Sequence, residues 1–140
     1  MTGPEQESLA ARYERDCVEC LKSKGHLVSG NRVEMIRALA VARCPMSTQE
    51  ISKFGSADGQ SESYDAAIRL LEILIVDGYV HRLRDGSWFR ATIPYSIPVI
   101  TKSGAAFELQ SSRAYKCVQR ELKNAGHRPH RIYIEVILRD

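Results

Sequence analysis

The sequence predicts an α+β chain in which an N-terminal winged-helix lobe precedes a small ββαβ lobe. Three observations carry this. Residues 5–92 read as helices followed by a hairpin, with a short, tightly capped helix ahead of a longer one. Two prolines, Pro94 and Pro98, interrupt the chain just after the hairpin and resist helix and central strand alike. Beyond them the apolar spacing restarts as two short strands, a helix and a strand. The expected division is 1–92, a linker at 93–98, and 99–140.

The first helix covers 5–24, because Leu9, Tyr13, Cys17, Cys20 and Leu21 recur at three- and four-residue spacing and Gly25 stops it. Ser29 can cap a second helix whose buried stripe is Val33, Ile36, Leu39 and Ala40; it ends near Cys44 and Pro45. Ser47-Thr48-Gln49-Glu50 is a capping box, in which serine and glutamate satisfy each other's backbone N–H. It opens a short third helix carrying Ile51 and Phe54 and ended by Gly55. Residues 55–62 form a polar loop. Ser63 then caps a fourth helix through about Asp77, with Asp65 favourable in its first turn and Ile68, Leu71, Leu74 and Ile75 inward. Gly78 suits a left-handed C-cap. Residues 79–83 and 88–92 alternate as strands around the Asp85-Gly86 turn and make the wing.

In the second unit, 99–101 and 105–109 read as strands joined at Ser103-Gly104. Ser111 or Ser112 starts a helix with Ala114, Val118, Leu122 and Ala125 inward, and Gly126 ends it. Residues 131–138 alternate as a strand, placing Ile132, Ile134, Val136 and Leu138 on one face. A lobe of about 40 residues cannot cover both faces of its own sheet. It is expected to pair with a second copy through that face, giving a homodimer, or to pack on the first lobe.

Composition bounds the function. The 140 residues are 44% apolar and 26% charged, which excludes wholesale disorder and a fibre. The longest apolar stretch, 70–76, is broken by Glu72 and is too short to span a bilayer, so no membrane partner is expected. Residues 1–7 carry neither a basic nor an apolar segment, so no signal peptide is expected and the chain reads as cytoplasmic. There Cys17, Cys20, Cys44 and Cys117 read as free thiols. Net charge is +3, with the basic excess in the second half; this permits a nucleic-acid partner without requiring one.

A helix-turn-helix presents the N-terminal end of its second helix to the major groove. The candidate contacts there are Ser63, Tyr64, Ala66, Ala67 and Arg69. Arginine can fork onto guanine and alanine can touch a thymine methyl. Arg32, at the start of the second helix, and the wing residues His81, Arg82, Arg84 and Arg90 suit phosphates. The same residues also fit a solvated surface on a protein-binding winged helix. Cys17-x-x-Cys20 lacks a second ligand pair at matching spacing, and His127-Arg128-Pro129-His130 has no nearby carboxylate or cysteine, so no metal or other cofactor is expected. There is no phosphate loop and no catalytic motif, so the chain does not read as an enzyme.

The order of these pieces resembles the ferric uptake regulator (Fur) family of bacterial transcription factors. Leu21-Lys22-Ser23-Lys24-Gly25, then Val28-Ser29-Gly30-Asn31-Arg32-Val33, is similar to the family's entry into its second helix. Ser47–Ile51, Leu70–Val80, Thr101–Gly104 with Phe107-Glu108, and Arg120–Gly126 with Ile132–Val136 resemble its later elements, so the likeness spans about 9–138. It implies a dimeric, double-stranded-DNA-binding regulator, expected to be a repressor. The family's recognition helix begins Thr-Val-Tyr-Arg; here the aligned residues are Ala66-Ala67-Ile68-Arg69, and Tyr64 is the candidate to stand in for the tyrosine. The family's histidine-rich linker is Pro94-Tyr95-Ser96-Ile97 here. Its zinc cysteines align with Ile100 and Ser103, and a later histidine with Ile132; Glu108 alone keeps a ligand type. The resemblance therefore implies a regulator that has lost metal sensing. Two other readings stand beside it: an interaction module without DNA binding, and a metal-dependent member using Cys17, Cys20, His127 and His130.

Overall fold

The computed structural model describes residues 8–55, 62–93 and 96–139. The expectations for residues 1–7, for most of the 55–62 loop and for Pro94 and Tyr95 lie outside them. The first lobe opens with α1 (Leu9–Ser23), whose cap Ser8 accepts from the Ala11 N–H. α2 (Gly30–Val41) is capped by Ser29, as its sequence predicts. α3 (Thr48–Phe54) carries the full capping box: Glu50 N–H donates to Ser47 Oγ at 3.1 Å and Ser47 N–H to Glu50 Oε1 at 3.0 Å. α4 spans Glu62–Val76, so Ser63 lies in its first turn and not at its cap. The wing is β1 (Val80–Arg82) antiparallel to β2 (Trp88–Arg90), with Val80 opposite Arg90 and Arg82 opposite Trp88.

These helices close around one apolar core that includes Tyr13, Leu21, Ile36, Leu39, Ile51, Leu70, Leu71 and Leu74. The Tyr13 hydroxyl donates to Tyr79 O at 2.7 Å, tying α1 to the turn that Gly78 makes at φ +80°. Trp88 fixes the wing to the helix-turn-helix. Its backbone exchanges two hydrogen bonds with Met46, at 2.9 and 2.8 Å, and its indole N–H donates to Thr48 Oγ1 at 2.9 Å. Of the two apolar residues that α3 carries, Ile51 is fully buried and Phe54 is 54% exposed. Met35 packs against the end of α3, where a Cβ on Gly55 would sit 2.9 Å from its sulfur.

The second lobe contains β3 (Ile97–Ile100), β4 (Ala106–Leu109), α5 (Arg113–Asn124) and β5 (Val136–Ile137), in sheet order β4-β3-β5. β3 starts inside the expected linker and takes in Pro98. Antiparallel pairing explains why the strand tolerates it. Thr101 N–H bonds to Ala105 O, so odd-numbered residues of β3 face β4, while Ile100 O accepts from Leu138 on the β5 side. Pro98, even-numbered, turns its missing donor toward β5, whose pairing reaches only Val99 and Ile100. The expected strand at 131–138 shrinks to Val136–Ile137, and Ile132 and Ile134 precede it, half-buried. On α5 only Tyr115 is buried, and Val118, expected inward, is 36% exposed. No helix among the described residues is long and apolar enough to cross a membrane.

Cys17 and Cys20 are buried, whereas Cys44 and Cys117 are exposed. Burial pushes the Cys17 thiol up to about 12. Burial and then the Asp77 carboxylate, to which its Sγ–H donates at 3.0 Å, push Cys20 up to about 11. Because the thiolate is the nucleophile, Cys44 and Cys117 are expected to react with a chromogenic disulfide reagent in the native protein, and Cys17 and Cys20 only on unfolding. A C44S/C117S variant that still released chromophore rapidly would contradict this.

Candidate nucleic-acid interface

The solvent face of α4 is set by the core on its other side. Ala67, Leu70, Leu71 and Leu74 are fully buried, so the helix turns Tyr64, Asp65, Arg69 and Glu72 outward. Arg69 projects from this face between Asp65, four residues earlier, and Glu72, three later. The expectation that Ala67 touches a base is corrected: its methyl belongs to the core and presents nothing to a groove. Ala66 is half-buried, Tyr64 is 45% exposed, and the Ser63 side chain lies outside the described residues. Asp65 and Glu72 were absent from the expected contacts, although their spacing from Arg69 is written in the sequence.

The basic residues around α4 divide into two groups. Arg82 and Arg84 on the wing are exposed, with the Arg82 guanidinium 5.2 Å from the Trp88 ring centroid. Arg32 is half-buried and spends one N–H on Leu27 O at 2.9 Å, bracing the turn before α2. Arg90 corrects the expectation of a phosphate contact. Its side chain is 22% exposed, its guanidinium stacks on Phe89 at 4.7 Å, and it donates to Ala42 O at the end of α2. It points into the junction between the lobes.

At that junction Arg90 meets Glu108 of β4. The carboxylate is 3% exposed, with Oε2 3.8 Å from Arg90 Nε. Its Oε1 accepts from Thr92 N–H and from the Ser96 hydroxyl, both at 2.7 Å. Ser96 has one hydroxyl proton and gives it to Glu108, so the His81 ring, 2.9 Å away at Nε2, is the donor to Ser96 Oγ. Gln110 adds a bond to Thr92 Oγ1 at 2.8 Å, and Ala106 N–H donates to Arg43 O at 2.8 Å. β2, the linker and the end of α2 are thus tied to β4 through one carboxylate and its neighbours.

Glu108 is the residue that the sequence singled out as a surviving ligand type, and its surroundings do not fit a metal ion. Zinc wants about four Cys, His or carboxylate donors. The charged group facing Glu108 is a guanidinium, which has only N–H donors. Among the described residues no three His, Cys, Asp or Glu side chains converge, and Cys17 and Cys20, in α1, are not brought together with His127 and His130, beyond α5.

No family model and no curated protein matches the sequence. Solved structures match the fold. A zinc uptake regulator complexed with zinc and DNA superposes with a TM-score of 0.74 at 15% identity, over 94% of this chain and 92% of that one. Holo XcZur gives 0.70 at 19% identity, over 89% and 92%. The Helicobacter pylori ferric uptake regulator Fur, whose structure reveals three functional metal binding sites, gives 0.55 at 17% identity, over 94% and 91%. The chain has the fold of the ferric uptake regulators.

Burial pushes the His81 imidazole down to about 4 from an ordinary 6.5. The folded protein therefore keeps this ring neutral where the unfolded chain protonates it. The associated stability is complete above about pH 6.5 and is lost as pH falls toward about 4, amounting to about 3 kcal/mol. Urea unfolding of wild type and H81Q across that window is expected to show a steeper loss in the wild type. Parallel profiles would contradict the assignment.

Proposed function

We propose that the protein is a Fur-type transcriptional regulator of the cytoplasm, a repressor that binds double-stranded DNA as a homodimer and needs no metal ion to hold its lobes in place. It has no catalytic role in this reading. The observation that carries it is the buried Arg90–Glu108 pair, which supplies a permanent cation at the lobe junction. DNA binding is supported by the fold shared with a zinc uptake regulator that is complexed with DNA. Tyr64 and Arg69 on α4, with Arg82 and Arg84 on the wing, give a base-reading helix end flanked by phosphate contacts. Asp65 and Glu72 favour a second reading, because two carboxylates beside Arg69 repel phosphate; under it the same face binds a protein and no DNA.

The dimer surface is proposed on the second lobe, on the sheet face of Phe107, Leu109 and Leu138, each 42–45% exposed. Val136 lies in register with Val99 and Phe107 and joins this surface. Ile132 and Ile134 leave it, because they line a cavity that faces the first lobe.

Mobility-shift assays on genomic fragments, with chelator or with added zinc, test the function. Retardation of a specific subset is expected, unchanged by chelator. R69A should weaken the specific complex by about 1–3 kcal/mol, roughly 5- to 150-fold. R82A/R84A should weaken all complexes alike and flatten the salt dependence. Binding that appears only with zinc supports the metal-dependent reading, and no binding to any fragment supports the interaction module.

Sedimentation equilibrium at micromolar concentration is expected to give a dimer that F107D/L109D converts to monomer. A monomeric wild type would contradict the proposed interface.

A further inference from the structure

A cavity of about 340 Å³ lies between the two lobes. One wall is the end of α4 with Gly78 and β1; the other is Tyr115 and Gln119 of α5 with residues 129–135. Its volume falls at the small end of ligand cavities, about 300–1,000 Å³. The lining has two characters. Ile75, Val80, Ile132 and Ile134 are apolar, while Arg82 and Arg131 bring cationic groups. The one acidic residue in the lining, Glu135, already has its Oε1 engaged at 2.6 Å by the Arg84 N–H. Charge complementarity therefore favours an anion with an apolar body.

We propose that this cavity is an effector site for a small organic carboxylate with a one- or two-ring body. The rings lie among Ile75, Val80, Ile132 and Ile134, and the carboxylate meets Arg131 at the cationic side. Both lobes supply wall residues, so a bound acid bridges β1 of the winged-helix lobe to the segment leading into β5. Residues 129–135 form no strand, and that segment can adjust around a ligand without breaking the sheet. The Arg90–Glu108 junction sets the lobe arrangement, and occupancy of this cavity modulates it. The site does not rest on DNA binding, and its test uses protein free of DNA.

Amide chemical shifts of the ¹⁵N-labelled full chain, titrated with benzoate, 2-naphthoate and the uncharged 2-naphthamide, test the proposal. Saturable shifts are expected for 2-naphthoate in both Gly78–Arg82 and His130–Glu135, with the amide at least ten-fold weaker. R131E, a change on an exposed residue, is expected to weaken 2-naphthoate at least ten-fold with unaltered thermal unfolding. I134W, which fills the cavity, is expected to abolish the shifts; if it fails to fold, R131E alone carries the test. No saturable shift with either carboxylate, shifts confined to one lobe, or an unchanged affinity in R131E would overturn the proposal. Protection of the same amides by a second copy of the chain on dimerisation, with no response to either acid, would overturn it too.

Discussion

A carboxylate that is 3% exposed constrains everything near it. Burying a charge is tolerable only with opposite charge and hydrogen bonds to hand, since several kcal/mol of desolvation must be offset. Glu108 gets both, but from the other side of a domain boundary. Arg90 ends the wing, Thr92 follows it, and Ser96 leads into β3. Moving either lobe would strip Arg90 and Thr92 away, while Ser96, beside β3, would stay. The Arg90 bond to Ala42 O and the Ala106 bond to Arg43 O carry the same constraint to the end of α2. The helix-turn-helix is thereby oriented relative to the second lobe.

A metal ion at such a junction makes the arrangement conditional, because the ligands repel or separate when the ion leaves. A guanidinium cannot leave. Arginine stays protonated throughout the physiological range and presents N–H donors in a fixed fork. Placing Arg90 against Glu108 gives this junction a cation fixed to the chain, which is the basis of the metal-independent reading proposed above. The cavity between β1 and the residues before β5 is a second place where both lobes share a wall.

Local chemistry was legible in the sequence. The Ser29 cap, the Ser47–Glu50 box and the turns at Gly78, Gly86, Gly104 and Gly126 each depend on a few neighbouring residues, and all occur as read. What escaped depends on partners distant in the chain. Ala66 and Ala67 are equivalent by composition, and only the packing of α4 on Met35, Ile36 and Leu39 decides which is buried. Arg90 reads as one more wing cation until β4 brings Glu108 to it from eighteen positions downstream. The alternation at 131–138 is genuine, but β3 offers partners only to Val136 and Ile137. Pro98 reads as a strand breaker because sequence does not show which strand edge its ring faces.

The central claim is that Arg90 and Glu108 act as one unit that fixes the lobes. A double-mutant cycle with R90M, E108Q and the pair, followed by urea unfolding, measures it most directly. The account predicts that each single change destabilises and that the double variant recovers a coupling energy of about 1–3 kcal/mol. Effects that simply add, to within about 0.5 kcal/mol, would show two independent residues and contradict it.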